Sequence, residues 1–195
     1  MSTTPPSMKG AFLQGVVADV QKLVERGAVP PAELEARLSA AERKLLAAPL
    51  IGALWYPVEA WVHMIELLRD LEGGADPRRY LVERGARAAA RIIELGIFRH
   101  QIEAFQGERL ARIGQIIATL AANIFNFGKW AFVDADGTKA PRIVISEASR
   151  FPKEAQPLFE GFIEALVREA LHLPLSVRSA RPSPEEIEFA LVSGG

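Results

Sequence analysis

The stretch from Glu154 to Leu171 constrains the fold more than any other part of this sequence. Its apolar residues recur as pairs every four positions, which is the spacing of a wide stripe along one side of an α-helix. They are Leu158, Phe159, Phe162, Ile163, Leu166, Val167, Ala170 and Leu171. The opposite side is charged, with Glu160, Glu164, Arg168 and Glu169. A helix with such a stripe must lie against a larger apolar surface, and a sheet is the usual one.

Four short runs on either side of this helix have the composition and alternation of β-strands. A hairpin signal, Asp136-Gly137, joins the first two runs. The runs are Lys129–Val133, Arg142–Ser146, Leu175–Val177 and Glu186–Val192. We therefore predict a ββαββ block over residues 128–195.

The preceding part of the chain is predicted to be helical, over residues 9–127. Prolines and capping residues mark several helix starts, such as Ser39 with Glu42, and glycines mark several ends. Residues 1–8 are predicted to be a disordered tail. No long polar linker divides the rest, so we predict one α+β domain over residues 9–195. In it, N-terminal helices pack on a small four-stranded antiparallel sheet with one long helix.

Charge and cysteine content exclude several kinds of function. The net charge is −1, so no global field attracts nucleic acid or an anionic membrane. The chain has no cysteine, which excludes disulfides and cysteine-liganded metals. The N-terminus is polar and does not resemble a signal peptide, and no apolar run is long enough to span a membrane. We expect a cytoplasmic protein without nucleic-acid partners.

The predicted helix from Pro77 to Leu95 combines small residues with arginines. Its inner face holds Gly85, Ala88 and Ala89, which predict close packing of another helix or a dimer surface. Arginines recur at three- and four-residue spacing: Arg84, Arg87 and Arg91. Such a stripe can contact an anion or an acidic partner. The other interpretation is a solvated face paired with nearby glutamates.

Histidines and carboxylates do not form a recognisable catalytic or metal site. His63, His100 and His172 lie on different predicted elements, without the spacing of helical metal ligands. His100 follows an apolar region and can in principle be an axial haem ligand, or it is a surface or capping residue. Asp134 and Asp136 resemble the start of a calcium loop, but the acidic twelfth position falls at Ile145. We predict neither a metal nor a cofactor.

Aromatic residues cluster in two places of the sequence. The clusters are Trp55, Tyr56 and Trp61, and then Phe125, Phe127 and Trp130. Such clusters are most often core, but where helices meet a small sheet they can also line an apolar ligand pocket. An apolar connector, Leu50–Trp55, precedes the first cluster.

The layout is similar to the vinyl-4-reductase-like domain and to the small subunits of the TRAPP trafficking complex. The residues that carry the resemblance are 130–133, 143–145, 159–166, 175–177 and 187–189. Trp55-Tyr56-Pro57 and the Gly85 helix also resemble a group of paralogous proteins abundant in myxobacteria. The resemblance implies the fold. The metal-binding cysteines of many vinyl-4-reductase-like domains have no counterpart here, so metal binding is not implied.

Fold resemblance without catalytic groups predicts a non-enzymatic sensor or adaptor module. It would bind a small apolar ligand or a partner protein, as a homodimer. One alternative is a small lyase or isomerase that uses pocket carboxylates and arginines. The other is a haem-based sensor that uses His100.

Overall fold

A computed structural model of the chain describes residues 5–94, 110–171 and 174–193. The chain divides into two compact units. The first contains residues 1–77 and 124–126, and the second contains residues 78–123 and 127–195. Residues 95–109 of the predicted helical region, which include His100, lie outside the described residues, as does His172.

The first unit is mainly helical. Its elements in chain order are β1 (Ser7–Lys9), α1 (Gly10–Glu25), α2 (Pro31–Arg37), α3 (Ala40–Ala47), β2 (Trp55–Pro57) and α4 (Val58–Glu72). The core of the unit comes from the apolar faces of α1 and α4. Leu13, Val20, Met64, Ile65 and Leu68 are all fully buried. These faces follow the helical period of the sequence, which is why both segments form amphipathic helices.

A two-stranded antiparallel sheet in this unit differs from the prediction. Strand β1 pairs with β2, with Met8 opposite Tyr56, and Met8 is 1% exposed. The prediction of a disordered tail is therefore wrong for Ser7 and Met8. Helix α4 begins at Val58, directly after β2. Strands of three residues are too short to show alternation, so their pairing has no signal in the sequence.

The second unit contains the larger sheet. Its elements are α5 (Pro77–Glu94), α6 (Leu110–Ile124), β3 (Lys129–Val133), β4 (Arg142–Ser146), a 3₁₀ turn (Ala148–Arg150), α7 (Ala155–Leu171), β5 (Leu175–Ser183) and β6 (Glu186–Ser193). The first residue of α5 and the last of α6 belong to the first unit. The four strands are antiparallel in the order β3-β4-β6-β5. Strand β5 extends beyond the predicted run Leu175–Val177 to Ser183, with a register shift between Ala180 and Ser183.

Helix α7 lies on the apolar face of this sheet. Ile143 and Ile145 on β4 pair with Phe189 and Ile187 on β6, and all four are fully buried. Ile163, among the apolar residues of α7, is 1% exposed. The wide stripe of α7 thus finds the apolar surface that it requires.

The architecture confirms the predicted α+β class with a four-stranded antiparallel sheet. The limits of β3, β4 and α7 match the predicted runs to within one residue. The single domain over residues 9–195 stays a prediction. Within the described ranges, no helix is long and apolar enough to cross a membrane.

Candidate functional site

A cavity of about 390 Å³, open to solvent, lies in the first unit, between α1 and the segment that follows α3. Its lining is apolar apart from two amides: Gln14, Val17, Gln21, Ala47, Ala48, Pro49 and Leu50. Gln14 Nε2 donates to the Leu50 carbonyl at 2.8 Å, and Gln21 Nε2 donates to the Leu46 carbonyl at 2.6 Å. These two hydrogen bonds attach the end of α3 and the segment after it, which form one wall of the cavity, to α1. A site of this kind suits a small, largely apolar molecule.

The sequence prediction did not include these residues. Gln14, Val17 and Gln21 are spaced by three and four positions, so they share one face of α1. Two glutamines beside a valine on this face of α1 are the one sequence signal that could have indicated the cavity. None of the lining side chains is titratable. The cavity therefore offers no group for acid–base chemistry.

The six aromatic residues predicted to line a pocket are divided between the two units. In the first unit, Trp61 and Phe125 are each 3% exposed and belong to the core. The Tyr56 hydroxyl accepts a hydrogen bond from the Ile51 backbone at 3.1 Å. Trp55 is 45% exposed, with the Lys9 ammonium 4.0 Å from its ring centroid. None of these four residues lines the α1 cavity.

In the second unit, Phe127 and Trp130 join an aromatic cluster. Phe127 lies against Phe151, with ring centroids 5.4 Å apart. Trp130 contacts Phe151, Phe159 and Phe189 at centroid distances of 5.7, 5.6 and 6.5 Å. Rings at these distances are in direct contact. The cluster is packed core between α7 and the sheet.

The small residues of α5 pack against α7. A β-carbon on Gly85 would lie 1.9 Å from the carbonyl oxygen of Leu158. Reciprocally, a β-carbon on Gly161 would lie 1.9 Å from the carbonyl oxygen of Val82. The two helices therefore cross at backbone contact, with one glycine from each. Ala89 is fully buried beside this crossing on the same helix, and Ala88 is half-buried.

The three arginines of α5 have different environments. Arg84 is 7% exposed and donates to the Tyr80 hydroxyl at 3.3 Å. Arg87 and Arg91 are exposed, and Arg87 lies 5.9 Å from the Tyr80 ring centroid. The interpretation of all three as one solvated face is wrong for Arg84. It packs inside the unit, whereas the other two remain available to an anion or a partner.

A buried carboxylate joins α7 to α5 and to the edge strand β5. Glu160 is 8% exposed and accepts hydrogen bonds from Arg78 Nη2 at 2.6 Å and from Ser179 Oγ at 2.8 Å. Glu164 accepts one from the Val177 backbone at 3.0 Å. The sequence places both glutamates on the charged side of α7, opposite its apolar stripe. They satisfy polar groups next to the sheet, and periodicity alone does not reveal such pairing.

His63 is hydrogen-bonded to Glu42 in the first unit. Its Nδ1 is 2.7 Å from Oε1 of Glu42, which is 8% exposed. Glu42 also forms a capping box with Ser39, whose backbone donates to Oε2 at 2.7 Å. Burial raises the pKa of the Glu42 carboxyl, but the hydrogen bonds with Ser39 and His63 lower it by more. The net result is a pKa below the usual range of glutamate. This pair fixes the start of α3 on α4.

The Asp134–Gly137 segment lies in the connection between β3 and β4, where a turn runs from Asp136 to Lys139. Oδ1 of Asp136 accepts hydrogen bonds from the backbone of Thr138 and Lys139, at 3.0 and 2.9 Å, and from the Thr138 hydroxyl at 2.6 Å. These bonds hold the pKa of Asp136 well below its usual range. Among the described residues, no group of three or more histidine and acidic side chains can hold a metal ion.

Solved structures of H-NOX proteins are similar to this chain over nearly its whole length. A mutant from K. algicida, in the Fe(II) unliganded state, has a TM-score of 0.60 at 11% identity, with 96% of this chain and 97% of that chain covered. A variant of Tt H-NOX has a TM-score of 0.58 at 11% identity, with 96% of each chain covered. A third, from work on haem distortion in the H-NOX family, has a TM-score of 0.59 at 12% identity and 96% coverage of both chains. At such identities the similarity shows the fold alone.

No protein-family model and no curated protein matches this sequence. The resemblance to vinyl-4-reductase-like domains and TRAPP small subunits stays a prediction. In fold, this chain is similar to the H-NOX proteins.

Proposed function

We propose that the chain is a non-enzymatic sensor or adaptor module with an H-NOX-like fold. The observation that carries the proposal is the fold similarity to H-NOX proteins over 96% of this chain, at TM-scores of 0.58 to 0.60. The cavity along α1 supports a binding role, since its lining is apolar with two amides and has no titratable side chain. The ligand proposed for this cavity is a small apolar molecule.

Native mass spectrometry of the freshly purified protein tests this function. We expect a mass that includes a small-molecule adduct. Ala48→Trp places an indole in the cavity and should remove the adduct. Ala36→Trp, on the exposed face of α2, is the matched control and should retain it. An adduct that survives Ala48→Trp would show that the ligand binds elsewhere. Absence of any adduct would count against a bound small molecule and would favour the adaptor role, in which the partner is a protein.

The proposal includes a homodimer. Gly85 and Ala89, predicted from the sequence as a dimer surface, are buried inside the second unit. The surface between two subunits would therefore have to lie elsewhere on the molecule. The same native mass spectrum gives the number of subunits. A monomer at every protein concentration would reject the homodimer and leave the binding role intact.

A second candidate is a haem-based sensor, favoured because the H-NOX structures are named for Fe(II) and haem. The described residues do not by themselves fit a haem. In that part of the chain the histidine is His63, which pairs with Glu42, and no histidine lines the α1 cavity. Haem binding therefore rests on His100, outside the described residues.

Titration with haem, followed by Soret absorbance, separates the two candidates. A haem sensor would give a saturable Soret band that His100→Ala removes. His63→Ala is the matched control and should leave the band unchanged, since that ring is occupied by Glu42. A protein that shows no Soret band after haem addition would exclude the second candidate and keep the first.

A further inference from the structure

The segment from Leu45 to Val58 contains no charged residue, although it lies between Lys44 and Glu59. Three large apolar side chains in it point to solvent. Ile51 is 59% exposed, Leu54 is 51% exposed and Trp55 is 45% exposed. They are the most exposed large apolar side chains of the described residues. We name these three residues the apolar tip. Neither the α1 cavity nor either proposed function uses them.

The backbone beneath the apolar tip is held by the first residues of α1. The backbone amides of Gly10 and Ala11 donate to the carbonyls of Leu54 and Gly52, at 2.9 and 3.1 Å. Lys9 Nζ donates to the Ala53 carbonyl at 2.7 Å. Because these bonds hold the loop against the helix, the side chains of the tip are fixed in an outward position.

Every carbonyl from residue 50 to residue 54 has a hydrogen-bond donor. In addition to the three carbonyls above, Leu50 accepts from Gln14 at 2.8 Å and Ile51 accepts from the Leu54 backbone at 3.1 Å. A loop that enters a lipid layer must satisfy its polar backbone internally, since no water is present there to do so. This loop meets that requirement for its carbonyls before it contacts anything.

Lys9 and Trp55 supply the polar border of the tip. The Lys9 ammonium lies 4.0 Å from the centroid of the Trp55 ring. Tryptophan and lysine together are typical of the boundary between lipid headgroups and acyl chains, where the ring is half buried and the ammonium reaches phosphate. The ammonium is therefore placed at headgroup level when Ile51 and Leu54 point inward.

A second copy of the chain fits the tip less well. Three side chains at about half exposure offer on the order of 300 Å² of apolar surface. A stable protein interface needs roughly 800 Å² from each partner. A lipid surface has no such minimum area, since binding there grows with each inserted side chain.

We infer that the apolar tip inserts at the boundary between the headgroups and the acyl chains of a phospholipid membrane and holds the protein on its surface. The lipid chemistry is a zwitterionic phospholipid interface, with a contribution from the phosphate group to Lys9. Insertion is driven by Ile51, Leu54 and Trp55, so it does not require anionic lipid.

Vesicle binding tests this inference on the full chain. Vesicles of phosphatidylcholine, with and without phosphatidylglycerol, are titrated while tryptophan emission and cosedimentation are recorded. We expect binding to both compositions with a blue shift of Trp55 emission, and quenching by lipids brominated on the acyl chain. Ile51→Ser/Leu54→Ser retains the Trp55 probe and should weaken partitioning on the order of 30-fold.

The matched control is Val24→Ser/Leu71→Ser. It removes two apolar side chains of the same unit that are 40% and 37% exposed, outside the tip. It should bind vesicles as the unmodified protein does. Absence of binding to both compositions, or equal losses in the two double variants, would overturn the inference. Binding only to vesicles with phosphatidylglycerol would also overturn it, because it would indicate attraction by charge rather than insertion. A change of oligomeric state in the tip variant, without vesicle binding, would instead identify a contact between proteins.

Discussion

Replacing Gly85 by alanine decides whether the backbone contact between α5 and α7 stabilises the protein. On an open helix face, alanine would raise the free energy of unfolding by about 1 kcal/mol, because glycine is the poorer helix former. Here the added β-carbon would lie 1.9 Å from the Leu158 carbonyl oxygen and 2.9 Å from the Phe162 amide nitrogen. Both neighbours are backbone atoms, so no side-chain rotation can relieve the overlap. A gain in stability for Gly85→Ala would therefore indicate an open helix face, and a loss would indicate backbone contact between α5 and α7.

The magnitude follows from two opposing terms. Inserting a methyl group into well-packed structure lowers stability by about 1–3 kcal/mol, and an overlap with backbone belongs at the upper end. Subtracting about 1 kcal/mol for the improved helix propensity leaves a net loss of about 2 kcal/mol. For a chain of this size, that loss lowers the melting temperature by about 6 °C.

Urea unfolding followed by far-UV circular dichroism gives the measurement. Ala90→Gly, at an exposed position of the same helix, supplies the propensity term and should lower stability by about 1 kcal/mol. Gly161→Ala should resemble Gly85→Ala, since its β-carbon would meet the Val82 carbonyl. The double variant should lose less than the sum, because one separation of the helices relieves both overlaps. An increase in stability for Gly85→Ala would refute the close crossing.

Three further predictions concern local structure. Glu42→Ala should lower stability at pH 7 by about 1 kcal/mol, because alanine cannot accept the Ser39 backbone hydrogen bond of the capping box. The folded-state pKa of Glu42 is lowered, so its contribution is present above the unfolded pKa and is lost as pH falls through the folded pKa; urea midpoints of the variant should therefore fall less on acidification than those of the unmodified protein. Asp136→Ala should loosen the β3–β4 turn, seen as faster amide exchange at Thr138 and Lys139, because the lowered pKa of Asp136 reflects bonds to those groups. Glu147 has φ 56°, so Glu147→Val should lower the free energy of unfolding by about 1 kcal/mol while Glu147→Asn should not; equal stabilities of the two variants would contradict a left-handed conformation there.

Periodicity predicted those parts of the fold that depend on local patterns. The stripe of α7, the alternation of β4 and β6 and the Asp136-Gly137 turn each fix their own geometry within a few residues. Pairing between distant short segments has no such signal. Strands β1 and β2 contribute three residues each from positions nearly fifty residues apart, so their pairing was missed and Met8 was assigned to a tail.

The candidate site was predicted less well because the same residue types serve packing and binding. The aromatic rings of Trp61, Phe125 and Trp130 pack in the core. Their sequence pattern is the same as that of residues that line a pocket. The cavity instead uses small residues and two glutamines, which have no distinctive pattern. Periodicity shows that Glu160 lies on the charged side of α7. It does not show that this side meets Ser179, because Ser179 lies on a different element, β5.

The residues that determine this fold are distinct from those that would determine a ligand. The sheet and α7 require Ile143, Ile187 and Phe189, and the crossing requires Gly85 and Gly161. None of these side chains can bind iron or select a small molecule, so a shared fold at 11% identity does not bring a shared ligand with it. Haem binding would depend on His100, binding of an apolar molecule on the α1 cavity, and contact with lipid on Ile51, Leu54 and Trp55. Because the cavity and the apolar tip share no residue with this core, each can be removed by substitution while the core that supports the fold remains unchanged.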